Sequence, residues 1–220
     1  MMNKRDFLKK MGATSLGVAA ATTIPVVADA AKKATKSRVL NNADRRRNRI
    51  PNVPLMTHEG EAVMFYDDLV KDKTVMINFM YARCADSCPG TTQNLKKVQN
   101  ELGDRVGKDI FMYSISLDSE HDTPESLKAY AELFKTKPGW KFLTGKKEDI
   151  EKLRRSLGFV NDDPELDKDR TLHTGMVKFG IESLERWGSA PSMTNPKYLA
   201  EYVRWLEPNG KKPNLAEMMG

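Results

Sequence analysis

Cys84 and Cys88 are the only cysteines in this 220-residue chain, and they stand in the run Phe79-Met-Tyr-Ala-Arg-Cys-Ala-Asp-Ser-Cys-Pro89. At ~1.5 Å rise per residue, positions i and i+4 of a helix share one face and lie roughly 6 Å apart along the axis. Disulfides close over Cα separations of about 4.4–6.8 Å, so this pair can oxidise without large backbone movement. Two thiolates also supply half of a tetrahedral metal site, or two-thirds of a trigonal one. A bridge across so short a loop restrains little of the unfolded chain, which makes a purely structural disulfide a poor explanation. Redox exchange and soft-metal binding are the two chemistries left open.

The elements around the pair must hold both sulfurs. Residues 74–81 are nearly continuous in apolar and aromatic types, which predicts a strand buried on both faces that ends at the cysteine segment. Pro89 suits the first turn of a helix, and Leu95, Val98 and Leu102 continue at helical spacing. Thiolates at such a helix start are favoured by unpaired amides and the macrodipole, and Arg83 adds to that field.

Further strands are expected at 63–66, 110–117 and 140–143. A loop at 118–122 leads to a helix with Thr123 as N-cap and Pro124 at N1. Another helix over 147–157 is closed by Gly158. Residues 174–179 and 184–187 form a hairpin-like pair around Gly180, and a last helix runs from about 196 to 206. This order predicts an α/β fold, a central mixed sheet flanked by helices. The cysteines fall at the carboxyl end of a central strand, where such sheets place their sites.

His173, in Arg170-Thr-Leu-His-Thr-Gly-Met176, just precedes the predicted hairpin strand. In a thioredoxin-like sheet that entry lies beside the cysteine loop, where an imidazole can complete a Cys2His set suited to Cu(I) and tolerant of Cu(II). A loop histidine bonded to a backbone carbonyl is the alternative. His58 is expected in a surface turn. His121 shares the sheet edge of the cysteines without being a predicted ligand. Of the twelve methionines, those in strands, such as Met76, Met80 and Met112, are expected to pack the core.

The net charge of +6 is concentrated near the N-terminus. Residues 31–60 hold eight Lys and Arg against Asp44 and Glu59, a net of +6, and the leader adds +2, so residues 61–220 carry −2. A nucleic-acid protein should show its basic residues on the folded face. Here they precede the fold, which argues against nucleic-acid binding and leaves a flexible arm able to touch an anionic membrane. Asn3-Lys-Arg-Asp-Phe-Leu-Lys9, a weakly apolar stretch and Ala28-Asp-Ala30 have the form of an export signal similar to a twin-arginine leader, with a retained anchor as the alternative. The expected organisation is a signal or anchor over 1–30, a basic arm over 31–50, a folded domain over 51–207 and a polar tail over 208–220. That places the protein in the periplasm or on the membrane facing it.

The cysteine run resembles the motif of the Sco/SenC proteins, in which Cys-Pro-Asp-x-Cys-Pro follows an aromatic-rich strand. Ser116-Leu-Asp-Ser-Glu-His-Asp-Thr-Pro-Glu125 resembles that family's Asp-Pro-x-x-Asp-Thr-Pro segment, and Leu172-His-Thr174 its histidine loop. Ala85 and Ser119 stand where the family usually has proline, and the acidic segment before His173 is shorter. The resemblance covers roughly residues 50–207. It implies a thioredoxin-like fold, with copper carried by Cys84, Cys88 and His173. It also implies delivery to the dinuclear copper centre of cytochrome c oxidase, with a thiol reductant keeping the pair able to load. Asp86 and Asp118 would neighbour the site, tuning its charge or orienting partners. Rival readings are a thiol–disulfide oxidoreductase acting on copper-site proteins, and a redox or copper sensor.

Overall fold

β3, Thr74–Met80, is the strand that feeds the cysteine segment, and six of its seven residues are buried. Alternate side chains serve opposite layers. Met76 and Met80 join one apolar cluster, whereas Val75, Ile77 and Phe79 join the other. A strand covered on both faces has no solvent side, which is why residues 74–81 read as a nearly continuous apolar run.

The computed structural model describes residues 44–45, 49–83, 87–169, 172, 175–210 and 212. The elements in chain order are β1 (Pro54–Thr57), β2 (Ala62–Met64), β3, α1 (Ser87–Leu102), β4 (Ile110–Ser116), α2 (Pro124–Leu133), β5 (Trp140–Thr144), α3 (Lys147–Ser156), β6 (Met176–Ile181), β7 (Arg186–Pro191) and α4 (Pro196–Trp205). They build one seven-stranded sheet in the order β2-β1-β5-β4-β3-β6-β7. β3 pairs parallel to β4, and β4 parallel to β5. β6 runs antiparallel to β3, and the β6–β7 hairpin closes that edge. Pro191 ends the edge strand, where a missing amide donor costs no ladder bond.

Residues of α1, α2 and α4 cover one face, through Leu95, Val98, Leu127, Tyr130, Leu199 and Val203. Ile150, Leu153 and Leu157 of the α3 region cover the other. Thr123 caps α2 by accepting from the Ser126 amide at 3.3 Å, with Pro124 at N1. Gly158 closes α3 at φ +81°, a conformation that costs glycine little.

Three expectations need correction. The strand expected at 63–66 stops at Met64, because Phe65–Val70 coils into a π-helical turn that buries Phe65, Tyr66, Leu69 and Val70. β1 was not expected, and His58 lies in the turn after it, as expected, but half-buried and not on the surface. Its Nδ1 accepts the Phe142 amide at 3.2 Å, and its own amide donates to the Phe142 carbonyl at 2.8 Å. Burial holds its pKa below the ordinary imidazole value.

Gly180, expected at the hairpin turn, instead lies inside β6 opposite Trp187, and the turn falls over Glu182–Leu184. A Cβ there would meet Trp187 Cε3 at 2.2 Å, so the indole occupies the space of the missing side chain. Gly180→Ala is expected to cost about 1–3 kcal/mol, as overpacking does. It should appear as a lower urea midpoint with an unchanged m-value.

Candidate metal centre

Cys88 is the second residue of α1 and is fully buried, in the cluster that holds Met76, Met80 and Leu95. α1 begins at Ser87, two residues before Pro89, so Cys88 and Pro89 both lie in its first turn. The helix start points unpaired amides at the end of β3, an arrangement that favours anionic sulfur. Cys84, Asp86 and His173 lie outside the described residues. Their neighbours are described. Ala82 and Arg83 lead out of β3, and Met176 opens β6 beside the end of that strand, with Asn78 paired to Val177. The chain carrying His173 therefore enters the sheet at the end from which the cysteine segment leaves.

Two buried carboxylates support that end. Asp122, 1% exposed, accepts from the Ala82 amide at 3.0 Å and from Ser116 Oγ at 2.5 Å through one oxygen. It ties the segment leaving β3 to the end of β4, two residues before Cys84. Its other oxygen, Oδ1, is buried and has no hydrogen-bond partner among the described residues.

Asp118, also buried, takes Arg83 Nη2 on one oxygen and His121 Nδ1 on the other, each at 3.0 Å. Arg83, expected to act on the thiols, thus gives its guanidinium to Asp118, which is itself fixed by a Ser116 Oγ contact to its amide at 2.9 Å. His121 stands half-exposed beside this pair. Sequence alone places Asp122 only in the 118–122 loop. Its place within the matched Asp-Thr-Pro segment was the available signal.

The acidic stretch ahead of His173 has its own anchor. Arg154 of α3, 3% exposed, donates through both terminal nitrogens to Asp167 at 2.8 Å. Asp167 also accepts the Asn161 amide at 2.8 Å and Arg155 Nη2 at 2.9 Å. These hydrogen bonds, Arg154 first, hold the Asp167 carboxyl well below the usual carboxylate range. The start of the stretch is fixed by Phe159, whose ring meets that of Phe79 edge-on at 4.8 Å. Among the described residues no group of three or more His, Cys, Asp or Glu is placed to hold a metal ion. Among them, too, no helix is long and apolar enough to cross a membrane.

Residues 45–206 match the model of the SCO1/SenC family. The chain belongs to that family. Its strand–cysteine helix–strand order and antiparallel β6 give the thioredoxin-like fold expected of a SCO1/SenC protein. The structure of Bradyrhizobium japonicum ScoI with copper bound is similar at TM-score 0.55 and 24% identity, covering 70% of this chain and 96% of that one. BsSco is described as a member of the Sco family of cytochrome c oxidase assembly proteins in which a disulfide switch was identified. It is similar at TM-score 0.57 and 21% identity, covering 70% of this chain and 90% of its own. These likenesses establish the fold. A protein of Stutzerimonas stutzeri described as a candidate copper-binding protein is 26% identical over 113 residues, 51% of this chain. The match spans about half of that relative's length, 53%.

Proposed function

We propose that this SCO1/SenC protein is an exported copper carrier that delivers the ion to a respiratory copper centre such as that of cytochrome c oxidase. Cys84 and Cys88 bind the metal as thiolates and His173 as the third donor. The observation that carries this reading is the position of Cys88, in the first turn of α1 at the carboxyl end of β3, where the chain bearing His173 enters β6. Two thiolates and an imidazole suit Cu(I) and still accept Cu(II), and the copper-bound ScoI relative has the same fold. Copper is here the cargo, so the protein must hold it and also release it. A disulfide between the cysteines removes both thiolates and gives the empty, unloadable state. Asp118 and Asp122 fix the backbone that leads into Cys84, and Asp86 is placed by sequence within the same loop. The leader and basic arm direct the protein to the periplasm, on or near the membrane.

Copper titration of the reduced protein beside His173→Ala tests the assignment. The wild type is expected to bind about one Cu(I) per chain, and the variant to hold it about 100-fold less tightly, near 2.7 kcal/mol. Unchanged affinity in the variant would remove His173 from the donor set. Fast reduction of a protein disulfide by wild type that retains no copper would instead support the thiol–disulfide oxidoreductase reading.

A further inference from the structure

Lys178 places a cation on the face of the sheet that α3 covers. It stands in β6 between Ile77 of β3 and Ser189 of β7, and it is only partly exposed. The Ser192 amide donates to the Gly175 carbonyl at 2.9 Å, which sets the phase of the β6–β7 ladder. In that phase Lys178 and Ser189 form a non-hydrogen-bonded pair, the kind that brings side chains closest. The ammonium and the hydroxyl therefore rise side by side from one face.

Neither side chain has a hydrogen-bond or ion-pair partner among the described residues. The nearby carboxylates are committed elsewhere. Glu185 pairs with Arg49 at 3.4 Å, and Glu182 accepts from Tyr66 Oη at 2.8 Å and from the Asp72 amide at 2.9 Å. Burial first, and then the Arg49 charge, hold Lys178 below the ordinary lysine value. Its Nζ lies 4.0 Å from where a Gly158 Cβ would stand, at the end of α3. The helix dipole favours a cation at that end, but among the described residues no carbonyl there takes its hydrogen bonds.

Lys178 and Ser189 line one cavity of about 120 Å³ with Leu157, Phe159, Val160, Leu172 and Met176. Leu157 and Phe159 are buried, whereas Val160, Leu172 and Met176 are exposed, so the cavity opens from the apolar layer to solvent. At ~30 Å³ for each water-sized group it holds about four, the size of an isobutyl group. A small apolar cavity with a few convergent donors is the usual form of a small-molecule site.

We propose that this cavity binds a short, branched monocarboxylate. One carboxylate oxygen takes the Lys178 ammonium and the other the Ser189 hydroxyl, while the apolar body lies against Leu157 and Phe159. A carboxylate is the group that satisfies both donors at once and offsets the cost of holding a half-buried ammonium. The inference goes beyond copper carriage and does not depend on it.

The test is titration of the isotope-labelled full-length protein with 3-methylbutanoate near neutral pH, followed through amide NMR shifts. Saturable shifts are expected at residues 157–160 and 176–189, with a Kd of about 1 mM, in keeping with so small a ligand. Lys178→Met keeps an apolar stem and removes the charge, and its Kd is expected to rise at least about tenfold. Ser189→Ala, at an exposed position, is expected to weaken binding about threefold. The neutral 3-methylbutanamide, and acetate without the branched body, should each bind wild type at least about tenfold more weakly. No saturable shift in wild type up to about 50 mM overturns the inference, as does wild-type affinity in Lys178→Met or for the amide. Tighter binding of N-acetylglycylleucine than of 3-methylbutanoate would also overturn it, by assigning the cavity to the end of a protein chain.

Discussion

Cys88→Ser is expected to abolish useful copper retention while leaving the fold standing. The side chain is fully buried among Met76, Met80 and Leu95, and serine is close to it in size. Placing a hydroxyl in that apolar setting costs about 1–3 kcal/mol, less than a domain's usual stability of about 5–15 kcal/mol. Loss of one of two thiolates removes the softest part of the donor set. Cu(I) affinity should fall at least about 1000-fold, or about 4 kcal/mol, in anaerobic competition with bicinchoninate. Far-UV circular dichroism should be unchanged. A variant that holds Cu(I) within about tenfold of wild type would exclude Cys88 as a donor.

The second large effect is on stability and comes from Arg154→Leu. That substitution leaves Asp167 buried, with Arg155 as its remaining guanidinium partner, and Arg155 is 60% exposed. Breaking a buried ion pair on one side costs about 3–5 kcal/mol, and Arg155 keeps the expected loss near the lower end, about 3 kcal/mol. For a chain of this size the fall in Tm is about 6–12 °C.

The pH dependence has a definite sign. The folded Asp167 carboxyl lies below its unfolded value, so its contribution is complete above about pH 4 and disappears as the pH falls toward the lowered folded value. The stability gap between wild type and variant should therefore be widest near neutrality and narrower at pH 3, measured by urea unfolding. An equal gap at both values would show that packing of the Arg154 stem, and not its charge, carries the effect.

Sequence pattern was most informative where one local rule governed each residue. Residues 74–81 and 110–117 could be recognised as strands because burial on both faces leaves mostly apolar positions, and Thr123-Pro124 announced α2 by its cap. The π-helical turn at Phe65–Val70 was hidden because its buried Phe65 and Tyr66 directly follow the apolar residues of β2 and read as more strand. Gly180 has the look of a turn glycine, and only the Trp187 ring across the hairpin explains it as a strand residue.

The proposed donors are legible in the sequence, and the groups around them less so. Cys84, Cys88 and His173 stand out by type and order, whereas the grip of Asp122 on Ala82 spans 40 residues. The acidic character of residues 162–169 was visible, but its partner, Arg154, belongs to a different element.

Under the proposed redox reading, the complete burial of Cys88 also sets a direction for electron flow. An incoming thiolate must reach a sulfur along the axis of the bond it breaks, and the apolar layer over Cys88 denies that approach from solvent. In any disulfide that Cys88 forms, the partner sulfur is the one struck, and Cys88 departs with the electron pair. It departs into the first turn of α1, where the amide dipoles welcome a new negative charge. Under the proposed disulfide switch, Cys88 is the leaving group and the sulfur bonded to it the point of attack.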